Sequence, residues 1–379
     1  MLALVLAALT GVSLALLLWQ WWEGVRCPLN PPGLTGNAAP ALTLLKPLKG
    51  ADAETETCLR SWLAQDYPGP VQVLFAVAGE DDPAVPVVRR LMVEFPTADA
   101  RLVVCPERLG PNSKVSKLVQ LEPLARHDLW VVSDADVAVP RDFLRRLVRP
   151  FQEPDPPALA CTFYQLATPA TPAMHAEALA ANADFWTSVL QARRLAPLRF
   201  ALGAVMAVRR EALARAGGFR ALTHHLADDY ELGRRVAAAG GRVELVPLVA
   251  ACREAPHDWR AVWRHQLRWV RTIRHCQPVP FAFSLLANPT LWPLLWWLAA
   301  PGRAALAGLG ICLAARVLMA AHCQARLTGS RRHLPWVWWA PFKDLLGAVL
   351  WALAFVGRSV EWRGERYRVR RGGRLEPVP

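Results

Sequence analysis

At 379 residues, with 53% hydrophobic content and a mean hydropathy of +0.18, the chain is longer than one average domain and too apolar to be wholly soluble. Charged residues make up 20% of it, yet residues 2–22 and 281–302 carry none while 50–275 has an ordinary globular mixture, which excludes both a purely soluble enzyme and a purely membranous bundle. The net charge of +13 comes mainly from arginine, concentrated at 260–274 and 358–374 beside hydrophobic segments, a placement that favours anionic membrane lipids over nucleic acid as the partner.

In chain order, residues 1–26 read as an N-terminal transmembrane anchor, because no small-residue cleavage site follows the apolar run at Trp21-Trp22-Glu23. A proline- and glycine-rich linker is expected at 27–40. From 41 to 258, short β-rich runs at 42–45, 71–77, 101–105, 129–133, 158–163, 205–208 and 242–246 are expected as strands. They alternate with expected helices at 54–64, 84–94, 115–125, 141–148, 210–216 and 228–239. The order is α/β with a mostly parallel sheet, whose ligands bind beyond the carboxyl ends of the strands.

Residues 259–275 form one amphipathic helix at 100° per residue. Trp259, Val262, Trp263, Leu267, Trp269, Val270 and Ile273 fill an arc of roughly 160°, and five arginines fill an arc of about 120° on the other side, overlapping it only at the Leu267 and Arg274 edge. Tryptophan opposite arginine describes a helix in the membrane interface, and the alternative is a core-packed helix with a solvated basic face. Residues 276–357 hold three interrupted apolar segments, 281–300, 304–323 and 336–357. Positive-inside asymmetry favours two full crossings and a re-entrant or interfacial third segment, leaving the basic tail 358–379 and the 41–258 domain on the cytosolic side. Arg316, inside the second segment, is expected to face protein. The eight cysteines lack CxxC spacing and read as reduced thiols rather than zinc ligands.

The carboxylates carry the chemistry. Asp81-Asp82 follows the strand 71–77, and Asp134-Ala135-Asp136 follows the strand 129–133 directly. A D-x-D on an extended segment puts two carboxylates on one side, which suits a divalent cation that also binds a diphosphate; an isolated D-x-D can equally be a capped strand-end turn. Asp228-Asp229 opens a helix, where N-capping accounts for one of the two. Residues 110–117 join a turn to a helix without the spacing of a Walker phosphate loop, yet Lys114 can reach a nucleotide phosphate as a point charge.

Together these sites resemble the family-two-like glycosyltransferases of the GT-A fold, and more closely the ceramide glucosyltransferase family with its bacterial hopanoid-glycosylating relatives. The pieces that carry the resemblance are Leu45-Lys46-Pro47-Leu48-Lys49-Gly50, Asp66-Tyr67-Pro68, Asp81-Asp82-Pro83, Ser133-Asp134-Ala135-Asp136, Ala227-Asp228-Asp229-Tyr230, Arg268-Trp269, and Trp362-Arg363-Gly364 with Tyr367-Arg368. The resemblance implies that Asp82 helps seat the uridine of a UDP-sugar, that Asp134 and Asp136 hold the nucleotide and its metal (Mg2+ or Mn2+), and that Asp229 is the catalytic base. Asp228 and Lys114 are expected on the substrate side of the same cleft. Arg268 and Trp269 match the end of the family's (Gln/Arg)-x-x-Arg-Trp motif, which holds diphosphate and acceptor; its first position here is His265, with Gln266 one place late.

The expected activity is inverting transfer of a sugar to one lipid hydroxyl, with ceramide or a hopanoid polyol as acceptor. An arginine-rich, lysine-poor composition suggests a bacterial source with a GC-rich genome, and with it the bacterial inner membrane as the expected location. Two other readings share these residues: a processive polysaccharide synthase, and a non-catalytic membrane-anchored scaffold that binds sugar nucleotides.

Overall fold

The computed structural model describes residues 1–31, 39–357, 359–362 and 365–377. Helix α1 (Leu2–Arg26) precedes an α/β unit that begins β1 (Leu42–Pro47), α2 (Thr55–Leu63), β2 (Val71–Val77), α3 (Ala84–Glu94), β3 (Asp99–Val104), α4 (Ser113–Leu121) and β4 (Leu129–Ser133). It continues through β5 (Val137–Ala138), α5 (Phe143–Leu147), β6 (Leu159–Leu166), α6 (Pro172–Leu179), a π-helical turn at Ala180–Phe185 and α7 (Trp186–Leu195). It closes with β7 (Val205–Arg209), α8 (Arg210–Arg215), α9 (Asp228–Ala238) and β8 (Val243–Cys252). There follow α10 (Trp259–Cys276), α11 (Pro278–Phe283), α12 (Leu291–Ala299), α13 (Arg303–Thr328), α14 (Ala340–Phe355), β9 (Ser359–Trp362), β10 (Glu365–Val369) and β11 (Leu375–Pro377).

The strand order is β3-β2-β1-β4-β7-β6-β8-β5. Neighbours from β3 to β4 pair in parallel, β7 runs antiparallel to both β4 and β6, and β8 is parallel to β6. Only Asp134–Asp136 separate β4, in the middle of this order, from β5, at its edge. Four residue steps reach about 14 Å at most, so the sheet must curl until its edge approaches its centre. That curl places the D-x-D turn in a cleft between the two halves.

One apolar core lies on each face of the sheet. The first, with Phe75, Val88, Leu91, Phe143 and Leu147, is covered by α2, α3 and α5. The second passes through Trp130, Trp186 and Phe219 to Leu17 of α1 and Met319, Cys323 and Leu327 of α13, so the apolar helices are anchored on that face. Helices α1 and α13 run side by side in the same direction, with Trp21 Nε1 donating to His322 Nδ1 (2.8 Å) and Arg326 donating to the Cys27 carbonyl (2.7 Å). Their approach to the domain depends on Gly24, where a Cβ would stand 2.8 Å from Thr187 Cγ2 of α7.

Among the described residues, α1 and α13 are the helices long and apolar enough to cross a membrane. At 1.5 Å per residue they are about 38 Å long, against the roughly 30 Å of a hydrocarbon core. The crossing expected at 281–300 is not one helix: the chain breaks at Asn288-Pro289, and α12 alone is about 13 Å long. The third segment lies along α10: Trp339 stacks on Trp259 at 6.2 Å, and Arg274 Cζ sits 5.4 Å over Phe355 at the other end.

Arg316, 1% exposed, faces protein. Its guanidinium meets Asp344 Oδ2 (2.8 Å) and Oδ1 (3.0 Å) and Asp184 Oδ2 (2.9 Å).

The tail differs from the simple basic extension expected of it. Its described residues form a three-stranded antiparallel sheet, β11-β10-β9, with Val360, Tyr367, Val369 and Leu375 packed against Leu226. The two-residue alternation at Tyr367 and Val369 was hidden beneath the arginines. Residues 32–38 of the linker, Arg358 and Arg363-Gly364 of the tail motif lie outside the described residues.

Candidate active site

The D-x-D turn is held from below by Lys46. This wholly buried side chain donates to Ser133 Oγ (3.0 Å), to the carbonyl of Asp134 and to the carbonyl of Val137 (3.3 Å), and its ammonium lies 5.1 Å over the Trp62 ring. Burial pulls its pKa down to about 8, although Asp136 and Asp134 lie nearby. From above, Asp134 N–H donates to the Ala204 carbonyl (3.2 Å) and Arg253 N–H to the Asp136 carbonyl (2.8 Å). With the turn's backbone so engaged, Asp134 and Asp136 both remain partly exposed. Burial, then Asp134 and Glu254, push the Asp136 carboxyl up to about 7.

Lys114 joins the D-x-D to the start of α9. Its ammonium lies 2.6 Å from Asp134 Oδ1 and 3.1 Å from Asp228 Oδ2. Burial opposes its charge, but Asp134 and Asp228 outweigh that and hold the ammonium well above the ordinary lysine range. Lys114 is placed by the first turn of α4, whose N-cap Asn112 accepts from Val115 N–H (3.1 Å) and donates to Asp228 Oδ1 (3.3 Å). Asp228 is therefore engaged on both oxygens.

Its neighbour Asp229 sits against Gly203, where a Cβ would stand 2.7 Å from Asp229 Oδ2. Burial and then Asp228 push the Asp229 carboxyl up to about 7, against the pull of Lys114. Of two adjacent aspartates, one is fixed by partners and the other is poised near neutrality, which separates a structural acid from a candidate base.

Asp82 lies at the end of the segment after β2. Its Oδ1 accepts from Gly50 N–H (2.9 Å) and Ala84 N–H (3.0 Å), tying the β1 end to the start of α3. A cavity of about 220 Å³ opens beside these strand ends, lined by Lys49, Arg108, Ser113, Lys117 and Tyr367 among others. Asp82 is not among its lining residues.

The α10 motif reaches the cleft through rings. Trp269 packs on Phe185 of the π-helical turn (5.4 Å), and Phe185 on Tyr164 of β6 (5.7 Å). Tyr164 lies within electrostatic reach of Asp229, Glu177 and Asp134. His265 stacks on Trp269 at 5.9 Å, and its Nδ1 lies 2.5 Å from Glu177 Oε1, which also accepts from Gln266 Nε2 (2.8 Å). The positions of His265 and Gln266 thus converge on one buried carboxylate. Arg268 is half-buried on the same helix.

Asn112, Glu177, Phe185 and Gly203 were not singled out by the sequence, and Lys46 stood out only as part of its motif, with no role assigned. Lys46 offered a signal, a lysine within an apolar strand in a chain with only five lysines. Glu177 and Gly203 offered none, because each matters through a contact made across the fold.

Among the described residues no group of three or more His, Cys, Asp or Glu is arranged to hold a metal ion. The donor set at Asp134 and Asp136 nevertheless fits magnesium or manganese, which take one or two carboxylates and complete their shell with substrate phosphates and water.

The sequence profile of glycosyl transferase family 21 matches residues 3–375. A ceramide glucosyltransferase of Candida albicans is 31% identical over 118 residues, covering 28% of this chain and 22% of that protein. One from Komagataella phaffii is 34% identical over 122 residues, covering 31% and 23%. The matched part is thus under a quarter of either fungal protein's length. Among solved structures, a mannosyltransferase from Pyrobaculum calidifontis in complex with GDP-Man and Mn2+ shares the fold, with a TM-score of 0.52, 22% identity, and coverage of 92% of this chain and 98% of that one. The α/β unit is accordingly a GT-A domain, with candidate membrane helices before and after it.

Proposed function

The chain belongs to glycosyl transferase family 21, and we propose that it moves a sugar from a UDP-sugar to the hydroxyl of a membrane lipid, ceramide or a hopanoid polyol, with inversion at the anomeric carbon. The observation that carries this reading is the Lys114 ammonium, which lies between Asp134 and Asp228 and so unites the D-x-D turn and the Asp228-Asp229 turn in one cleft. Diphosphate binding and proton removal must occur within one donor–acceptor complex, and this cleft supports both.

Asp229 takes the proton of the acceptor hydroxyl; one base without a second nucleophile favours a single displacement. Gly203 leaves room for that base, burial and then Asp228 raise its carboxyl toward neutrality, and Lys114 offers positive charge to the donor phosphates. Asp134 and Asp136 would hold Mg2+ or Mn2+, which when bound supplies charge stabilisation to the departing diphosphate. Arg268 assists at the diphosphate, while Trp269, with Phe185 and Tyr164, gives the lipid an aromatic path toward the base. His265, fixed by Glu177, lines that path. Asp82 shapes the loop at the nucleoside end.

The approach from the bilayer follows from α10 and α14, which lie side by side at the foot of the domain. The arginines of α10 are matched to anionic lipid, positive-inside asymmetry favours the cytosolic side for the domain, and the arginine-rich composition favours a bacterial inner membrane. Mass spectrometry of lipids from cells with and without the gene tests the function. A new glycosylated ceramide or hopanoid supports it and names the acceptor; an unchanged lipid profile in cells that make both acceptors contradicts it.

A further inference from the structure

The C-terminal sheet touches three separate segments that build the cleft. It meets the loop before α9, where Leu226 N–H donates to the Gly373 carbonyl (3.1 Å) and Leu375 N–H to the His224 carbonyl (2.7 Å). It meets α10, where Arg271 donates to the Ser359 carbonyl of β9 (2.6 Å) and also to that of Val356 at the end of α14 (2.9 Å). It meets the segment after β3, where Arg108 forms a two-pronged pair with Glu365, at 2.9 Å and 2.5 Å, and donates to Tyr367 Oη (2.8 Å). The Tyr367 hydroxyl in turn donates to Glu365. Tyr367 is 3% exposed, its ring in the small core shared with Leu226, so the hydroxyl is the end left to face Arg108.

These three residues form one wall of the cavity of about 220 Å³ whose other walls are Lys49 after β1, Ala78 after β2, and Ser113 and Lys117 of α4. In a doubly wound sheet, the carboxyl ends of adjacent parallel strands are where a nucleotide is received. Here the far side of that receptacle is supplied by residues more than 250 positions later in the chain. In its lining Lys49, Lys117 and Arg108 outnumber Glu107 and Glu365, a balance that suits a nucleoside diphosphate, and Glu365 holds Arg108 in one orientation by a planar, two-point contact. Arg108 and Tyr367 hold the Glu365 carboxyl down to about 2, so the pair stays ionised across the working pH range.

We propose that the C-terminal sheet completes the donor pocket, with Glu365 and Tyr367 as positioning residues that fix Arg108 against the nucleotide end of the UDP-sugar. The inference rests on the reading of the cleft as a UDP-sugar site and adds to it a function for the tail. It also links donor binding to the base, since Leu226 of the tail's core lies three residues before Asp229.

The test uses the full chain in lipid nanodiscs, with UDP as the calorimetric probe and steady-state rates varied in donor and in acceptor. Glu365→Gln and Arg108→Gln are each expected to weaken UDP binding and raise donor KM about tenfold, the scale of one charged contact, with kcat within twofold and acceptor KM unchanged. Tyr367→Phe is expected to give a smaller shift in the same direction. The exchange Arg108→Glu with Glu365→Arg keeps the wall closed but moves the cation, so it should recover thermal stability without recovering UDP affinity. Variants that bind UDP as the wild type does, or that lower only thermal stability, would overturn this inference alone. A wild-type protein that fails to bind UDP would overturn the reading of the cleft and this inference with it.

Discussion

Gly203 packs against the carboxylate of Asp229 so closely that a Cβ on it would stand 2.7 Å from Oδ2, 3.1 Å from Cγ and 3.2 Å from Cβ of the aspartate. A glycine just before β7 thus determines where the candidate base points. Gly203→Ala should displace the Asp229 side chain and lower kcat by about 10- to 100-fold, with UDP affinity retained, because a misplaced base loses much of its contribution. Calorimetry with UDP beside a rate assay checks this; undiminished turnover would mean that Asp229 has room to move without consequence.

Lys114 neutralises carboxylates on both sides of the cleft. Lys114→Met should destabilise the chain by about 3 kcal/mol, the cost of leaving buried acids without their cation. Because Lys114 also offers charge to the donor phosphates, the melting temperature of the variant should rise less than that of the wild type when Mn2+ and UDP are added. A variant as stable as the wild type would show that the acids had simply taken up protons.

The pH dependence of turnover has a defined sign. Asp229 must be ionised to accept a proton, and its carboxyl is raised from 3.8 to about 7 by burial and by Asp228, against Lys114. Activity should therefore be lost below neutrality and gained as pH rises through about 7, with log kcat/KM climbing by about one per pH unit on the acid side. Stability runs the other way. Between these two values the folded chain binds the proton more tightly than the unfolded chain, so this group's contribution to stability falls as pH rises. A rate already on its plateau at pH 5 would contradict the assignment.

Arg316 joins α13 to Asp344 of α14 and to Asp184 of the π-helical turn. Arg316→Leu should cost about 3–5 kcal/mol, since it leaves buried carboxylates short of a cation. The double variant Arg316→Leu with Asp344→Leu should cost less than the single change. Additive losses, measured by thermal unfolding in detergent, would show that the pair acts as two independent contacts.

The α/β order, the strand carrying the D-x-D and the amphipathic helix were legible because each rests on local pattern: period two, period 3.6, and carboxylates at strand ends. Helix α3 at 84–94 and strands β2 and β4 fall where periodicity puts them. What escaped depends on contacts between distant residues. The curl that brings β5 to β8 leaves no mark on Val137-Ala138, and Glu177 has no sequence signature for holding His265 and Gln266. The tail's strands were obscured because arginines fill the outward positions while Tyr367 and Val369 pack inward on Leu226. The break at Asn288-Pro289 was visible as an Asn-Pro pair, but hydropathy averaged over the segment outweighed it.

In the proposed reaction one cleft divides its work between an aspartate that serves the donor and an aspartate that serves the acceptor. Paired calorimetric and rate measurements on Asp136→Asn and Asp229→Asn in the full chain test this division. Asp136→Asn should weaken UDP-sugar binding in a manner dependent on Mg2+ or Mn2+, because a charged oxygen ligand is lost. Asp229→Asn should bind UDP nearly as the wild type does while turnover onto the lipid falls by roughly 10² to 10⁴. Near wild-type turnover by Asp229→Asn, or undiminished manganese-dependent UDP binding by Asp136→Asn, would contradict it.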